Sequence, residues 1–297
     1  VWRHPLMGTF LLTALPLMLG QTIMMLDEQF LRVFGSMAGE GAVSLLNYAR
    51  RIAQVPVGLV GQAAAVASYP FLVSLLAQGD AQRFDQTLHA ALRASLGLII
   101  PCALCMAATA WPILGLIFEG GRFGPAQTLA AAPLTRIMLA SAPFWILYMV
   151  LVRAYYAHAD TLTPAVTGTA MTLLCLPVYF FWAAPRGAWA IATVSAASVS
   201  LYTLWLTAIW IRRQGSGALT GLAGLGLRAT LCSLPGAAAA LLLSDAVQRG
   251  VHLPPPLTAA LALAAGGCVF VVLFLPLARL FAPGILEPLT RRLRGAS

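Results

Sequence analysis

Long runs of apolar residues, separated by short polar or glycine-containing breaks, occupy most of this 297-residue chain. An α-helix of about 20 residues, rising about 1.5 Å per residue, crosses a hydrocarbon core of about 30 Å. The runs reach this length and show no alternation with a period of two, so they predict helices rather than strands. Eight spanning helices fit, at about residues 6–34, 41–77, 84–118, 125–157, 162–183, 187–211, 221–243 and 257–280. The pattern predicts an all-α polytopic membrane protein.

The second run carries charge at a depth where a membrane helix is expected to be apolar. Arg50 and Arg51 follow Gly41 by about ten residues, which places them about 15 Å along the helix. A charge at that depth is costly unless it faces water, a partner or a ligand. Residues three, four and seven positions apart share a helix face, so the polar residues of this run form one stripe. The stripe consists of Ser44, Asn47, Arg51, Gln54, Gly58 and Gln62.

A polar stripe on a membrane-length helix predicts the wall of a water-accessible cavity. The alternative is that the two arginines lie near a membrane interface and extend their side chains to it.

Composition supports a membrane protein and excludes several functional classes. Charged residues make up 9% of the chain and the mean hydropathy is +0.85, whereas a soluble domain has about 25% charged residues. The net charge of +9 comes from arginine. These arginines mostly end apolar runs, where anionic lipid headgroups are their natural partners, so we expect membrane lipids and no nucleic acid as partners. The histidines do not cluster, and the cysteines lie within apolar runs, where the C-x-x-C of Cys102 and Cys105 indicates core packing. No nucleophile–base set occurs, so neither a metal site nor an enzyme is predicted.

The placement of arginine predicts the orientation of the chain. If the N-terminus is cytoplasmic, eleven arginines lie on that side and four on the other, while Arg50, Arg51 and Arg136 lie within the membrane. This distribution satisfies the positive-inside rule. With eight spans, both termini are then cytoplasmic.

Three segments resemble a known family. Residues 41–61 contain G-A-x-S-x-L-x-Y-A-x-R and then P-x-G-L-x-G, residues 118–123 read F-E-G-G-R-F, and residues 153–164 read R-A-Y-Y-A-H-A-D-T-L-T-P. In this order and spacing they resemble the MurJ (MviN) lipid II flippases, of the superfamily of multidrug, oligosaccharide-lipid and polysaccharide exporters. The resemblance covers about residues 7–211 and is weaker beyond.

The last two segments also have a local structural interpretation. Asp160 can cap a helix that begins near Leu162, and Pro164 would then stand in the first turn, where its missing N–H costs nothing. The two glycines of residues 118–123 predict a tight turn between apolar anchors. The motif residues expected to be structural are Glu119, Gly121, Phe123, Arg153, Asp160, Thr163 and Pro164.

The resemblance implies a bacterial inner-membrane flippase that moves a polyprenyl-pyrophosphate-linked glycopeptide, lipid II, from the inner to the outer leaflet by alternating access. Arg51 matches the family's cavity arginine on this helix. The substrate-binding candidates are Arg51, Arg50, Asn47, Gln54 and Gln62.

The resemblance also implies a division of the chain. The family has two six-helix lobes and two extra helices that shape a groove for the lipid tail. Residues 1–213 match the C-terminal six-helix lobe, and residues 214–297 match the two extra helices and a basic cytoplasmic tail. The N-terminal six-helix lobe is then a missing partner.

This chain departs from the family pattern around Arg50, where many relatives have Asp. Either Asp27 or Glu28 could pair with Arg50, but each could equally be an ordinary interfacial carboxylate. Arg136 is a candidate second cavity charge or a partner for Glu28. Some relatives bind sodium with acidic and amide ligands, and Asp27 matches one such position, yet residues 162–183 contain no Asn or Asp. A sodium site is therefore doubtful, and we expect no cofactor.

Two other functions remain open at this stage. The chain could export another polyprenyl-linked glycan, or a drug, since the sequence does not fix the substrate. It could also be a non-transporting membrane scaffold, although a scaffold would gain stability by losing its mid-membrane arginines.

Overall fold

The computed structural model describes residues 27–121, 123–251 and 254–282, and they form helices joined by short turns. One helix, α1, is described over residues 27–37. The others are α2 (Ala42–Ala77), α3 (Ala81–Ala108), α4 (Ala110–Phe118), α5 (Pro125–Ala140), α6 (Ala142–Ala157), α7 (Leu162–Pro177), α8 (Ala188–Gln214), α9 (Leu222–Gly250) and α10 (Pro255–Phe281). A π-helical segment, Val178–Ala183, continues α7, and short 3-10 turns occupy Ala184–Arg186 and Gly217–Leu219.

The described chain contains seven helical stretches long and apolar enough to cross a membrane. They correspond to the second through eighth predicted spans, so the predicted all-α polytopic fold is confirmed. The first predicted span, residues 6–34, lies mostly outside the described residues, and only its last part falls in α1. Both termini and the basic tail also lie outside them, so the orientation stays a prediction.

Two of the predicted spans are divided in the structure. The third is interrupted at Thr109, whose hydroxyl donates to the carbonyl oxygen of Cys105 at 2.8 Å. Three residues later Pro112 has no N–H to donate to the carbonyl oxygen of Ala108, so the regular backbone ladder is interrupted here. The fourth is interrupted at Ser141, two residues before Pro143, which has no N–H to donate.

Local chemistry sets several helix ends. Gly41 and Gly79, on either side of α2, have φ of 78° and 72°, a left-handed conformation that glycine adopts without a Cβ clash. Asp80 begins α3 by accepting the backbone N–H of Arg83 at 3.0 Å. Asp160 begins α7 in the same way through Thr163, at 2.9 Å, as the sequence predicts.

The helices pack around α2 and α3. Helix α2 contacts α3, α5 and α6, while α8 contacts α5, α6 and α7. Large apolar side chains such as Leu59 and Phe181 remain 73% and 75% exposed, as expected for surfaces that face lipid. The last two helices pair with each other, and α9 also packs on α3 while α10 packs on α4. The proposed division at residues 213 and 214 stays a prediction.

Candidate functional site

A buried ion pair joins α1 to α2. Arg50 donates from Nη1 to Oδ2 of Asp27 at 2.5 Å, and the two side chains are only 11% and 9% exposed. Of the two carboxylates considered as partners for Arg50, the structure therefore selects Asp27. Placing two opposite charges in contact offsets part of the cost of removing each from water.

Two hydroxyl groups complete the surroundings of Asp27. Ser195 on α8 donates to Oδ1 at 2.8 Å, and the hydroxyl of Tyr179 in the π-helical segment lies 3.5 Å from the same oxygen. The Asp27 carboxylate thus links four segments of the chain. On the other side, Nε of Arg50 is buried and has no hydrogen-bond partner among the described residues.

Beside this pair lies a cavity of about 450 Å³. Its lining combines charged and polar residues of α1 and α2 with larger apolar residues and two serines from the helices packed against them. The residues of α1 and α2 include Asp27, Glu28, Arg50, Gln54, Gly58 and Gln62, and the others include Met138, Ser141, Trp145, Met149 and Ser195. The predicted stripe on α2 therefore contributes Gln54, Gly58 and Gln62 to a cavity.

Arg51 and Asn47, the other two candidate residues of the stripe, are not among the described residues that line this cavity. Arg51 is exposed, Asn47 is half-buried, and neither forms an ion pair or side-chain hydrogen bond with another described residue. Successive helix residues are rotated by about 100°. Arg50 turns toward Asp27, whereas Arg51 lies on the face of α2 that also carries Gly58 and Gln62, nearer the start of the helix.

Arg136 takes neither of its predicted roles. Its Nε donates to the backbone oxygen of Ala107 at 3.1 Å, near the end of α3, where helical carbonyls lack an internal partner. Glu28 pairs instead with Arg32 one turn away. Arg136 therefore holds α5 against α3, and it is not among the residues that line the cavity.

The loop at residues 118–123 supports α2. The rings of Phe118 and Phe123 lie 4.7 and 4.6 Å from the ring of Tyr48. Gly121, at φ 59°, makes the turn, and Glu119 accepts the hydroxyl of Thr128 at 2.7 Å. Aromatic pairs at these distances stabilise the contact between the loop and the helix.

The segment at residues 153–164 is also held by contacts within the protein. Asp160 accepts from Nη1 of Arg213 at 3.0 Å, and the same nitrogen lies 2.8 Å from the hydroxyl of Thr163. The guanidinium of Arg153 lies 5.7 Å from the ring centre of Tyr69, close enough for a cation–π contact. Pro164 accepts the hydroxyl of Tyr202 through its backbone oxygen at 3.0 Å.

Sequence reasoning missed Tyr179, Ser195 and Arg213. Tyr179 stands singly within an apolar run, and Ser195 is one of several serines and threonines in its span, so nothing local distinguishes either hydroxyl. Arg213 could have been found, since it is a basic residue at the end of a predicted span and Asp160 lies at a predicted turn on the same side.

Both carboxylate oxygens of Asp27, the position considered for a sodium ligand, accept hydrogen bonds from within the chain. Hard cations prefer several oxygen ligands, whereas sulfur suits softer metals. Of the two oxygens of Asp27, Oδ2 accepts from Arg50 and Oδ1 from Ser195. A small space of about 40 Å³ next to Asp27 is lined by aromatic and sulfur-containing residues and by neutral hydroxyl groups. The hydroxyl-bearing residues are Tyr148, Thr172, Tyr179, Ser198 and Tyr202.

Comparisons with known proteins agree with the fold. A sequence model of the family described as Lipid II flippase MurJ matches residues 1–280. A probable lipid II flippase MurJ of Rhizobium meliloti (strain 1021) is 30% identical over 175 residues, 58% of this chain and 33% of the relative. One of Vibrio cholerae is 25% identical over 69% of this chain and 39% of the relative.

A solved structure, the lipid II flippase MurJ in an inward closed conformation, superimposes with a TM-score of 0.62 at 20% identity. The match covers 86% of this chain and 52% of that one. This chain therefore spans between about a third and a half of the length of the proteins it matches.

Proposed function

The chain belongs to the lipid II flippase MurJ family, and from this membership we propose that it is one part of a lipid II flippase. The complete transporter would move lipid II, a polyprenyl-pyrophosphate-linked glycopeptide, from the inner to the outer leaflet of the bacterial inner membrane. It would do so by alternating access, as a transporter rather than an enzyme.

One observation carries the proposal: a polar, cationic face of α2 is left uncovered by the rest of the described chain. Arg51 lies on this face, and Gln54, Gly58 and Gln62, which are also exposed, connect it to the cavity. An arginine on a membrane-length helix is costly when it faces lipid. The face therefore suits one wall of a larger, water-filled chamber whose opposite wall comes from elsewhere.

We propose that a second six-helix lobe supplies that opposite wall. The solved flippase is about twice as long as the part that this chain matches. The second lobe could belong to the same protein or to a separate polypeptide. Alternating access requires two such bodies that move about a shared site.

Within this chamber Arg51 would bind the pyrophosphate of the lipid. Its guanidinium is permanently charged and planar, and its N–H groups match two phosphate oxygens at once. Asn47, Gln54 and Gln62 would offer amide groups to the pyrophosphate or the sugar. Arg50 would contribute less directly, because its Nη1 already donates to Asp27.

An apolar groove offers a place for the polyprenyl tail. It encloses about 510 Å³ between α9 and the helices α3, α6 and α8, with side chains that are almost all apolar. The lining includes Ile100, Phe144, Leu204, Leu222 and Leu227. We assign the tail to this groove because moving a long hydrocarbon chain out of a water-filled chamber lowers its free energy.

A rescue experiment tests the proposal. In cells depleted of their own lipid II flippase, the chain expressed with a compatible second lobe is expected to restore growth, and the chain alone is not. Arg83→Gln is a control variant, since Arg83 is exposed and its ion pair within the described part of the chain is with the neighbouring Asp80. It should rescue as well as the unchanged chain.

Two results would contradict the proposal. Rescue by the chain alone would mean that copies of the chain form both walls, or that the missing lobe is misassigned. A complete transporter that inserts into the membrane but gives no rescue and no flipping of lipid II would overturn the assigned function.

A further inference from the structure

Asp27 is a buried carboxylate whose negative charge is balanced by an arginine of the same chain, Arg50. Asp27 is 8% exposed and lies where α1, α2, the π-helical segment and α8 meet. A carboxylate buried among membrane helices requires a cation or a set of strong donors. Arg50 supplies a full charge in direct contact, and Ser195 adds a hydrogen bond.

The charge balance of the site argues against an additional ion. The single negative charge of Asp27 is matched by the single positive charge of Arg50. Glu28, the other carboxylate beside the cavity, pairs with Arg32. A sodium ion added to this arrangement would bring an unbalanced charge into a region of low dielectric constant, at a high cost.

The groups available as ligands around Asp27 also argue against a sodium ion there. A sodium ion at Asp27 would have to displace the guanidinium from Oδ2 and find further oxygen ligands. The neighbouring space of about 40 Å³ offers neutral hydroxyls from Thr172, Ser198 and three tyrosines, beside aromatic rings and sulfur atoms. Among its described lining residues Asp27 is the sole carboxylate and no amide side chain is present.

We propose that the guanidinium of Arg50 is the permanent counter-cation of Asp27 and stands in place of a diffusible sodium ion. The stability of this lobe is then independent of sodium, and the charge of Arg50 is committed to the fold rather than to a ligand. This inference concerns the stability of the chain and does not depend on what the transporter carries.

Thermal melting of the purified chain in detergent tests the proposal. Sodium chloride is exchanged for N-methyl-glucamine chloride at constant ionic strength. The unchanged chain is expected to melt at the same temperature in both salts. A melting temperature that rises with sodium and then saturates would overturn the proposal.

Variants of the Asp27–Arg50 pair test directly whether the Arg50 guanidinium stands in place of a sodium ion. Arg50→Met leaves Asp27 buried without a counter-charge, so its melting temperature in N-methyl-glucamine chloride should fall by on the order of 10 °C. Sodium should restore part of that loss in a saturable way, since an ion can now enter. The double variant Asp27→Asn/Arg50→Met has no charge to balance and should show no sodium response.

Arg83→Met is the matched control, because it removes an exposed arginine that pairs with Asp80 at the surface. It should neither lower the melting temperature appreciably nor create a sodium response. If Arg50→Met melts like the unchanged chain, or gains nothing from sodium, the proposal is wrong. If Arg50→Met gives no folded protein, the test passes to the double variant Asp27→Asn/Arg50→Met. This variant is expected to fold without sodium. Its failure to fold would overturn the role of Arg50 as the counter-ion of Asp27.

Discussion

Arg50 and Arg51 are adjacent in the sequence but lie in opposite environments. Arg50 is 11% exposed at its side chain and contacts a carboxylate, while Arg51 is exposed on the uncovered face of α2. The two residues should therefore respond to the same substitution in different ways. Removing a buried charge partner strands the other charge, whereas removing an exposed charge leaves nothing unpaired.

We predict that Arg51→Gln in the complete transporter reduces binding of the pyrophosphate lipid without lowering stability. A hydrogen bond to a charged group contributes about 1.5–3 kcal/mol, which corresponds to roughly a ten- to hundredfold loss of affinity. Arg51→Lys should recover part of the activity. Lysine keeps the positive charge but lacks the planar guanidinium, whose N–H groups bond two phosphate oxygens at once. The measurements are lipid II flipping and thermal melting of the same preparations.

Arg50→Gln provides the comparison for that experiment, since it should lower the melting temperature by stranding Asp27. If Arg51→Gln instead melted earlier and still flipped lipid II at the normal rate, Arg51 would be a structural residue and its binding role would be wrong.

At the scale of elements, the final helix pair depends on close contact between backbones. A Cβ added at Gly236 on α9 would lie 3.0 Å from the carbonyl oxygen of Phe270 and 3.2 Å from its ring, on α10. Small residues allow helices to approach in this way within a membrane. The side of α9 that carries Gly224 is open, with no atom within 4 Å of an added Cβ.

We predict that Gly236→Leu lowers the melting temperature by several degrees, because overpacking typically costs about 1–3 kcal/mol. Gly224→Leu is the control on the same helix and should be neutral or slightly stabilising, since leucine favours a helix over glycine by about 0.8 kcal/mol. Equal melting of the two variants would show that α9 and α10 are not packed as the structure has them.

At the scale of the molecule, the distribution of arginine along the chain predicts which side of the membrane each turn faces. The turns after α1 and before α5 are expected outside the cell, and the turn after α8 is expected inside. Ser36, Gln127 and Gly215 lie at these three places and are exposed.

We predict that single cysteines at Ser36 and Gln127, in a background without the five native cysteines, react with a thiol reagent that cannot cross the membrane. A cysteine at Gly215 should react only after the cells are opened. The reverse pattern would show that the chain has the opposite orientation.

The sequence by itself determined the class of the fold and the approximate limits of most spans. Length, hydropathy and the absence of a two-residue period depend on local composition, so seven of the predicted spans appear in the described chain. The capping role of Asp160 was also predictable, because a cap acts over three residues. A pairing of Arg50 with a carboxylate of the first span could be named only as one of several possibilities.

Tertiary structure decided which side chains meet. Asp27 and Ser195 are 168 positions apart, and no local pattern brings them together. The structure also turned Arg50 rather than Arg51 toward α1, and it gave Arg136 a backbone oxygen as its partner. The physical reason is that a helix presents a new face every residue, about 100° further round. Which face is buried depends on neighbouring helices that lie far away in the sequence.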